Sequence, residues 1–112
     1  MRTLLAALAL ATLPMPSPAL AQASDFTLVN GTGQALGNLS IRRTGSEEWR
    51  PLGAAPTVGA SSAIAFNDPD CAFDIRASGA NGSALTWSGV NLCEVSAVTL
   101  RLAAGTPYVE YR

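Results

Sequence analysis

The feature that most constrains this chain is a pair of alternating segments held between its only two cysteines. Cys71-Ala-Phe-Asp-Ile-Arg-Ala77 and Ala84-Leu-Thr-Trp-Ser-Gly-Val-Asn-Leu-Cys93 are joined across Asn81-Gly82. Cys71, Phe73, Ile75 and Ala77 fall on one side of a period-two ribbon and Asp74 and Arg76 on the other, the pattern of a half-buried strand. Asn-Gly is the pair that supplies the positive φ angles of a tight hairpin turn. The unit predicts a β-hairpin whose ends are tied by a Cys71–Cys93 disulfide. A two-residue turn at Asn81-Gly82 would set Cys71 opposite Leu92, not Cys93. Either a three-residue turn or a bulge absorbs the extra residue, with Gly89 the natural place for a bulge, or the cysteines are diagonal neighbours.

The N-terminal stretch has a different character. Met1-Arg2 gives a short positive start, residues 4–13 are an apolar run broken only by Thr12, and Pro14, Pro16 and Pro18 end any helix. Ala19-Leu20-Ala21 and Ala21-Gln22-Ala23 are both small-x-small cleavage patterns, so residues 1–21 or 1–23 read as a secretory signal. The run is about ten residues against the roughly twenty needed to span a bilayer, which predicts no stable membrane insertion once the signal is removed. Neither a cysteine after the run nor an Arg-Arg pair before it marks a lipoprotein or a twin-arginine signal. The expectation is a periplasmic or secreted protein with one disulfide, formed in an oxidising compartment.

Residues 24–112 then suffice for one domain. A domain of about ninety residues buries only some 60–65% of the surface its unfolded chain exposes, so its stability margin is thin. The full chain has a formal net charge of −1 and no lysine; past the signal, arginines at 42, 43, 50, 76, 101 and 112 are set against eight acids. No basic stripe is present, which argues against a nucleic-acid partner. The doublet Arg42-Arg43 reads as a solvated strand end.

Along the chain, residues 25–30 read as a first strand closed by the turn cluster Asn30-Gly-Thr-Gly33, and residues 36–43 as a second. Residues 44–51 form a polar loop with Trp49 as its one large apolar anchor. Residues 61–66 are a third strand, with Ile64 and Phe66 facing one way. Asn67-Asp-Pro-Asp70 turns the chain into the hairpin. Residues 95–102 and 108–111 supply the last strands. No segment after the signal sustains a helical period. Short strands at roughly ten-residue spacing predict an all-β domain, a small antiparallel β-sandwich of immunoglobulin-like size or a small barrel.

Phe26-Thr-Leu-Val-Asn-Gly-Thr-Gly33, Ser46-Glu-Glu-Trp49, Cys71-Ala-Phe-Asp-Ile-Arg76, Val90-Asn-Leu-Cys93-Glu94 and Val98-Thr-Leu100 occur in that order. The arrangement resembles a family of short secreted bacterial proteins, uncharacterised and each a single β domain. Trp49-Arg50 stands where that family usually has Trp-Gly, and Asn81-Gly82 where it has Asp-Gly. The shared motifs are structural, so the resemblance implies a fold and not an activity. Members are sometimes labelled Tat-pathway signal protein or argininosuccinate lyase. Neither label carries functional weight, since a lyase of that name is a large helical enzyme whose chemistry needs a histidine.

This chain has no histidine, which removes the commonest general base and metal ligand. Paired cysteines leave no thiolate nucleophile and no tetrahedral zinc site, and the lack of lysine excludes Schiff-base chemistry. Close carboxylates are what remains. Asp68 and Asp70 flank Pro69, and Glu47 adjoins Glu48. They are weak calcium candidates because no spaced acidic loop with a distal Glu is present, and Asn67-Asp-Pro-Asp70 is rich in turn formers. Asp74 and Arg76, on one strand face beside Trp87 or its neighbour, form with Trp49 a candidate polar-aromatic interaction surface. The simpler reading of Asp74 and Arg76 is an exposed ion pair worth under about 1 kcal/mol. Either tryptophan is also a natural source of buried core surface. The sequons at Asn30, Asn38 and Asn81 read as turn chemistry. The sequence thus predicts a non-enzymatic module without cofactor, meeting an unknown protein or envelope component through a sheet edge or the Trp49 loop. The alternative is a small-ligand or calcium module on the acidic loops.

Overall fold

Alternation of buried and exposed side chains sorts the chain into eight strands. The computed structural model describes residues 21–112; residues 1–20 of the expected signal lie outside the described residues. The strands are β1 (Phe26–Asn30), β2 (Gly37–Arg43), β3 (Arg50–Pro51), β4 (Ser61–Ile64), β5 (Ala72–Ser78), β6 (Ala84–Asn91), β7 (Ala97–Ala103) and β8 (Thr106–Tyr111). They form two four-stranded sheets, ordered β4-β1-β7-β8 and β3-β2-β5-β6. Among the described residues there is no helix, and so none long and apolar enough to cross a membrane.

Between the sheets lies one apolar core. Phe26, Leu28, Val98 and Leu100 come from the first sheet; Leu39, Ile41, Phe73, Ile75, Ala77, Trp87 and Val90 come from the second. Phe66, just beyond β4, stands edge-on to Phe26 at 6.0 Å and to Phe73 at 5.1 Å, so one aromatic chain ties the two sheets together. Trp87 is 1% exposed and its indole N–H donates to the Arg101 carbonyl at 3.0 Å. That bond satisfies the one polar atom a buried tryptophan brings into a core.

The expected wholly antiparallel arrangement is corrected at β1, which runs parallel to β7 through Thr27↔Ala97 to Asn30↔Leu100. These two strands are joined by no hairpin: the chain passes through the second sheet between them, and a strand's alternation carries no information on direction. The sequence also did not show β3, two residues that pair with Ser40 and Ile41. So short a strand has no period to read.

The hairpin forms, and its turn has three residues instead of two. Gly79 N–H donates to Ser83 O at 2.8 Å and Gly82 N–H to Gly79 O at 2.9 Å, leaving Ala80, Asn81 and Gly82 as a three-residue loop. Only Gly82 has a positive φ, +81°; Asn81 instead accepts from Ser83 N–H at 3.0 Å. A three-residue hairpin loop needs one left-handed residue where the two-residue type I′ turn needs two. The register runs from Ser78↔Ala84 to Ile75↔Trp87, then shifts by one so that Phe73 faces Val90 and Ala72 faces Asn91. Gly89, at φ +66°, carries that bulge. Both devices occur, but they offset each other: the loop shifts the register by one residue and the bulge shifts it back, so the diagonal placement of the cysteines is the alternative that holds. Leu92 N–H donates to Cys71 O, so Cys71 does face Leu92. Cys93 lies one residue beyond, and the disulfide joins the pair across a Cα–Cα distance of 5.1 Å.

Candidate functional site

The outer face of the second sheet is where β2, β5 and the loop before β3 bring charge and an aromatic ring together. Leu39 and Ile41 of β2 and Phe73, Ile75 and Ala77 of β5 enter the core, which turns Ser40, Arg42, Asp74, Arg76 and Ser78 outward. Register sets Arg42 opposite Asp74 and Ser40 opposite Arg76.

Asp74 is nevertheless 3% exposed. Its carboxylate accepts from Arg42 Nε at 2.9 Å, Thr44 Oγ1 at 2.8 Å and Gly89 N–H at 3.0 Å. The Gly89 bulge is what turns a backbone N–H toward the carboxylate. Burial pushes the Asp74 pKa up, but the Gly89 N–H, the Thr44 hydroxyl and the Arg42 guanidinium outweigh it and hold the carboxyl below the usual range. The expected Asp74–Arg76 ion pair is not formed: Asp74 belongs to Arg42. A bulge that closes over the carboxylate, together with the neighbouring strand's arginine, wins over a partner two residues away on the same strand.

Arg76 turns to Trp49. Its guanidinium carbon lies 4.0 Å from the centre of the Trp49 ring, and that of Arg42 lies 4.5 Å from it. Cation–π contacts of this kind are worth about 0.5–1 kcal/mol where exposed and more when desolvated. Among the described residues Arg76 makes no ion pair, whereas Arg42, Arg43, Arg50 and Arg101 each have a carboxylate partner. Beside it opens a groove of about 490 Å³, lined by Trp49, Arg50, Arg76, Asn38, Ser40 and Ser78 among others, with no acidic residue in its walls. Trp87, the fourth expected surface residue, faces inward opposite Ile75; the outer-face neighbour of Arg76 across the hairpin is Thr86.

The acidic turn after β4 has a different environment. Asp68 is 4% exposed and takes Arg43 in a two-pronged contact, Nη2 to Oδ1 at 3.0 Å and Nε to Oδ2 at 3.2 Å, with Arg50 Nη2 at 3.4 Å. Asp70 lends its own N–H to Asp68 at 2.9 Å and its carboxylate to Arg43 at 3.2 Å. Burial raises the Asp68 pKa, while the Asp70 N–H and the two arginines lower it further, so it too stays ionised well below neutrality. A cation at this turn would have to displace guanidinium groups from the oxygens it needs. Among the described residues no cluster of three or more metal-type side chains is found.

No family model, curated protein or solved structure matches the chain. The site is therefore read from its own residues. Sequence reasoning placed Trp49 and Arg76 on one surface but missed Arg42, Thr44 and Gly89 as the partners of Asp74, and Arg43 and Arg50 as those of Asp68. The Arg42-Arg43 doublet held the signal. Adjacent residues of a strand point to opposite faces, and here each arginine meets a buried acid on its own side.

Proposed function

We propose that the chain is an exported, non-enzymatic β-sandwich module that binds an acidic segment of a partner protein in the groove beside Trp49 and Arg76. One observation carries the reading: Arg76 is held over an indole ring, has no carboxylate partner among the described residues, and faces a groove without acids. A pre-positioned guanidinium binds a carboxylate through paired N–H donors and loses little freedom in doing so. The polar groups of Asn38, Ser40 and Ser78 offer the lining that orients an extended chain.

Two features support the non-enzymatic part. The buried acids Asp68 and Asp74 are both held ionised by arginines and hydrogen bonds, so neither is poised to exchange a proton near neutral pH. Histidine, lysine and a free thiol are missing. The disulfide and the N-terminal apolar run support residence in the periplasm or outside the cell. A calcium or small-ligand role for the acidic loops has less support, because Asp68 is already saturated by arginine.

Titration with extended peptides rich in Glu and Asp, followed by tryptophan fluorescence, tests the proposal. Buried Trp87 supplies a constant background and Trp49 the response. Acidic peptides should shift the emission, and Arg76→Gln, which keeps Trp49 as the reporter, should abolish the shift. An equal shift in the Arg76→Gln protein, or no peptide that binds, would refute it.

A further inference from the structure

Two cleavage patterns share Ala21, and the fold distinguishes between them. Ala23 has no exposed surface and belongs to the core. Its N–H donates to Asp68 O at 2.9 Å and its carbonyl accepts from Asp68 N–H at 3.0 Å. A second bridge joins it to Cys93. Ala23 thus links the turn that carries the arginine-clamped Asp68 to the disulfide end of the hairpin. Ala21 and Gln22, by contrast, are exposed. The Ala21 carbonyl lies only 3.9 Å from Cys71 Sγ, so the chain leaves the fold alongside the disulfide.

From this placement we infer that the export peptidase cuts between Ala21 and Gln22, and that Ala23 is the first residue of the folded domain. The inference rests on reading the preceding residues as an export signal. Cutting after Ala23 would remove a core residue and leave the Asp68 N–H and carbonyl without their partners. It would also put a new ammonium group on Ser24, two residues before buried Phe26. Cutting after Ala21 puts the new amine on exposed Gln22. There the amine can attack the side-chain amide carbon of the same residue, closing a lactam and releasing one ammonia. The mature terminus then carries no charge.

Intact-mass measurement on the full chain, expressed with its own N-terminus in an exporting bacterium and purified without reductant, decides the point. The expected species begins at Gln22, with or without the loss of one ammonia. A product beginning at Ser24, lighter by Gln22 and Ala23, would overturn the inference while leaving the export reading intact. Uncleaved chain would overturn both. As a second readout, protein beginning at Ser24 should melt below protein beginning at Gln22; equal melting would remove the structural reason for the choice.

Discussion

Replacing Asp74 by alanine asks whether the outward carboxylate of β5 is a buried anchor or a solvated surface group. Three donors converge on it, from Arg42, Thr44 and the Gly89 backbone. A hydrogen bond to a charged group contributes about 1.5–3 kcal/mol, so three would sum to about 4.5–9 kcal/mol, a large part of a small domain's margin of about 5–15 kcal/mol. Two effects reduce that figure. Burying the ion costs several kcal/mol, which the variant recovers, and Thr44 and Gly89 are exposed enough for water to replace the lost acceptor. The net loss should be about 2–3 kcal/mol. In a domain of this size that lowers Tm by roughly 10–20 °C.

Urea unfolding of the disulfide-intact protein at neutral pH measures the loss, and its pH dependence supplies a second check. The folded pKa of Asp74 lies below its ordinary value of 3.8. The stabilisation is therefore complete above that ordinary value and fades as pH falls through the folded one. The gap between wild type and Asp74→Ala should stay constant from pH 7 to about pH 5 and close only in stronger acid. A loss under about 0.5 kcal/mol, the size of an exposed ion pair, would show Asp74 to be a solvated surface group. A gap that has already closed by about pH 6 would contradict its lowered folded pKa.

Other consequences are as direct. Unfolded, unreduced protein should show no reactive thiol, and replacing Cys71 and Cys93 with serine should cost about 3 kcal/mol, the chain-entropy value for a loop of this order. Gly82→Ala should lose about 1 kcal/mol in urea unfolding because it forces a side chain into the left-handed region, whereas Asn81→Gly should lose less. Millimolar calcium should leave Tm unchanged at neutral pH; a rise that Asp68→Asn removes would show that the arginine clamp yields to a cation.

What the sequence revealed depended on how local the cause was. Phe73, Ile75 and Ala77 announce their strand by alternation, and Gly89 stood out as the place for a bulge, although that bulge offsets the three-residue loop and leaves the cysteines diagonal. The resulting hairpin, disulfide and inner faces were all legible. The parallel pairing of β1 with β7 was not, because direction across a sheet is set by the path of the intervening chain. The inward turn of Trp87 was legible only from its size, as a natural source of core surface, because β6 alternates too weakly to fix the face. At the site, Trp49 and Arg76 were legible as outer-face chemistry, though both are half-buried. The burial of Asp74 was hidden because it needs a bulge and a hydroxyl from two other segments, Gly89 and Thr44, to cover one carboxylate.

In the proposed groove Arg76, over Trp49, reads a carboxylate. A binding cycle decides this: one acidic peptide and its Glu-to-Gln counterpart, each titrated into wild-type and Arg76→Gln protein at two salt concentrations. In the wild type the acidic peptide should bind about tenfold more tightly, a difference near 1.4 kcal/mol, and the preference should weaken with salt. In Arg76→Gln the two peptides should bind alike. The same tenfold preference in the variant would contradict the account, because the carboxylate would then be recognised elsewhere.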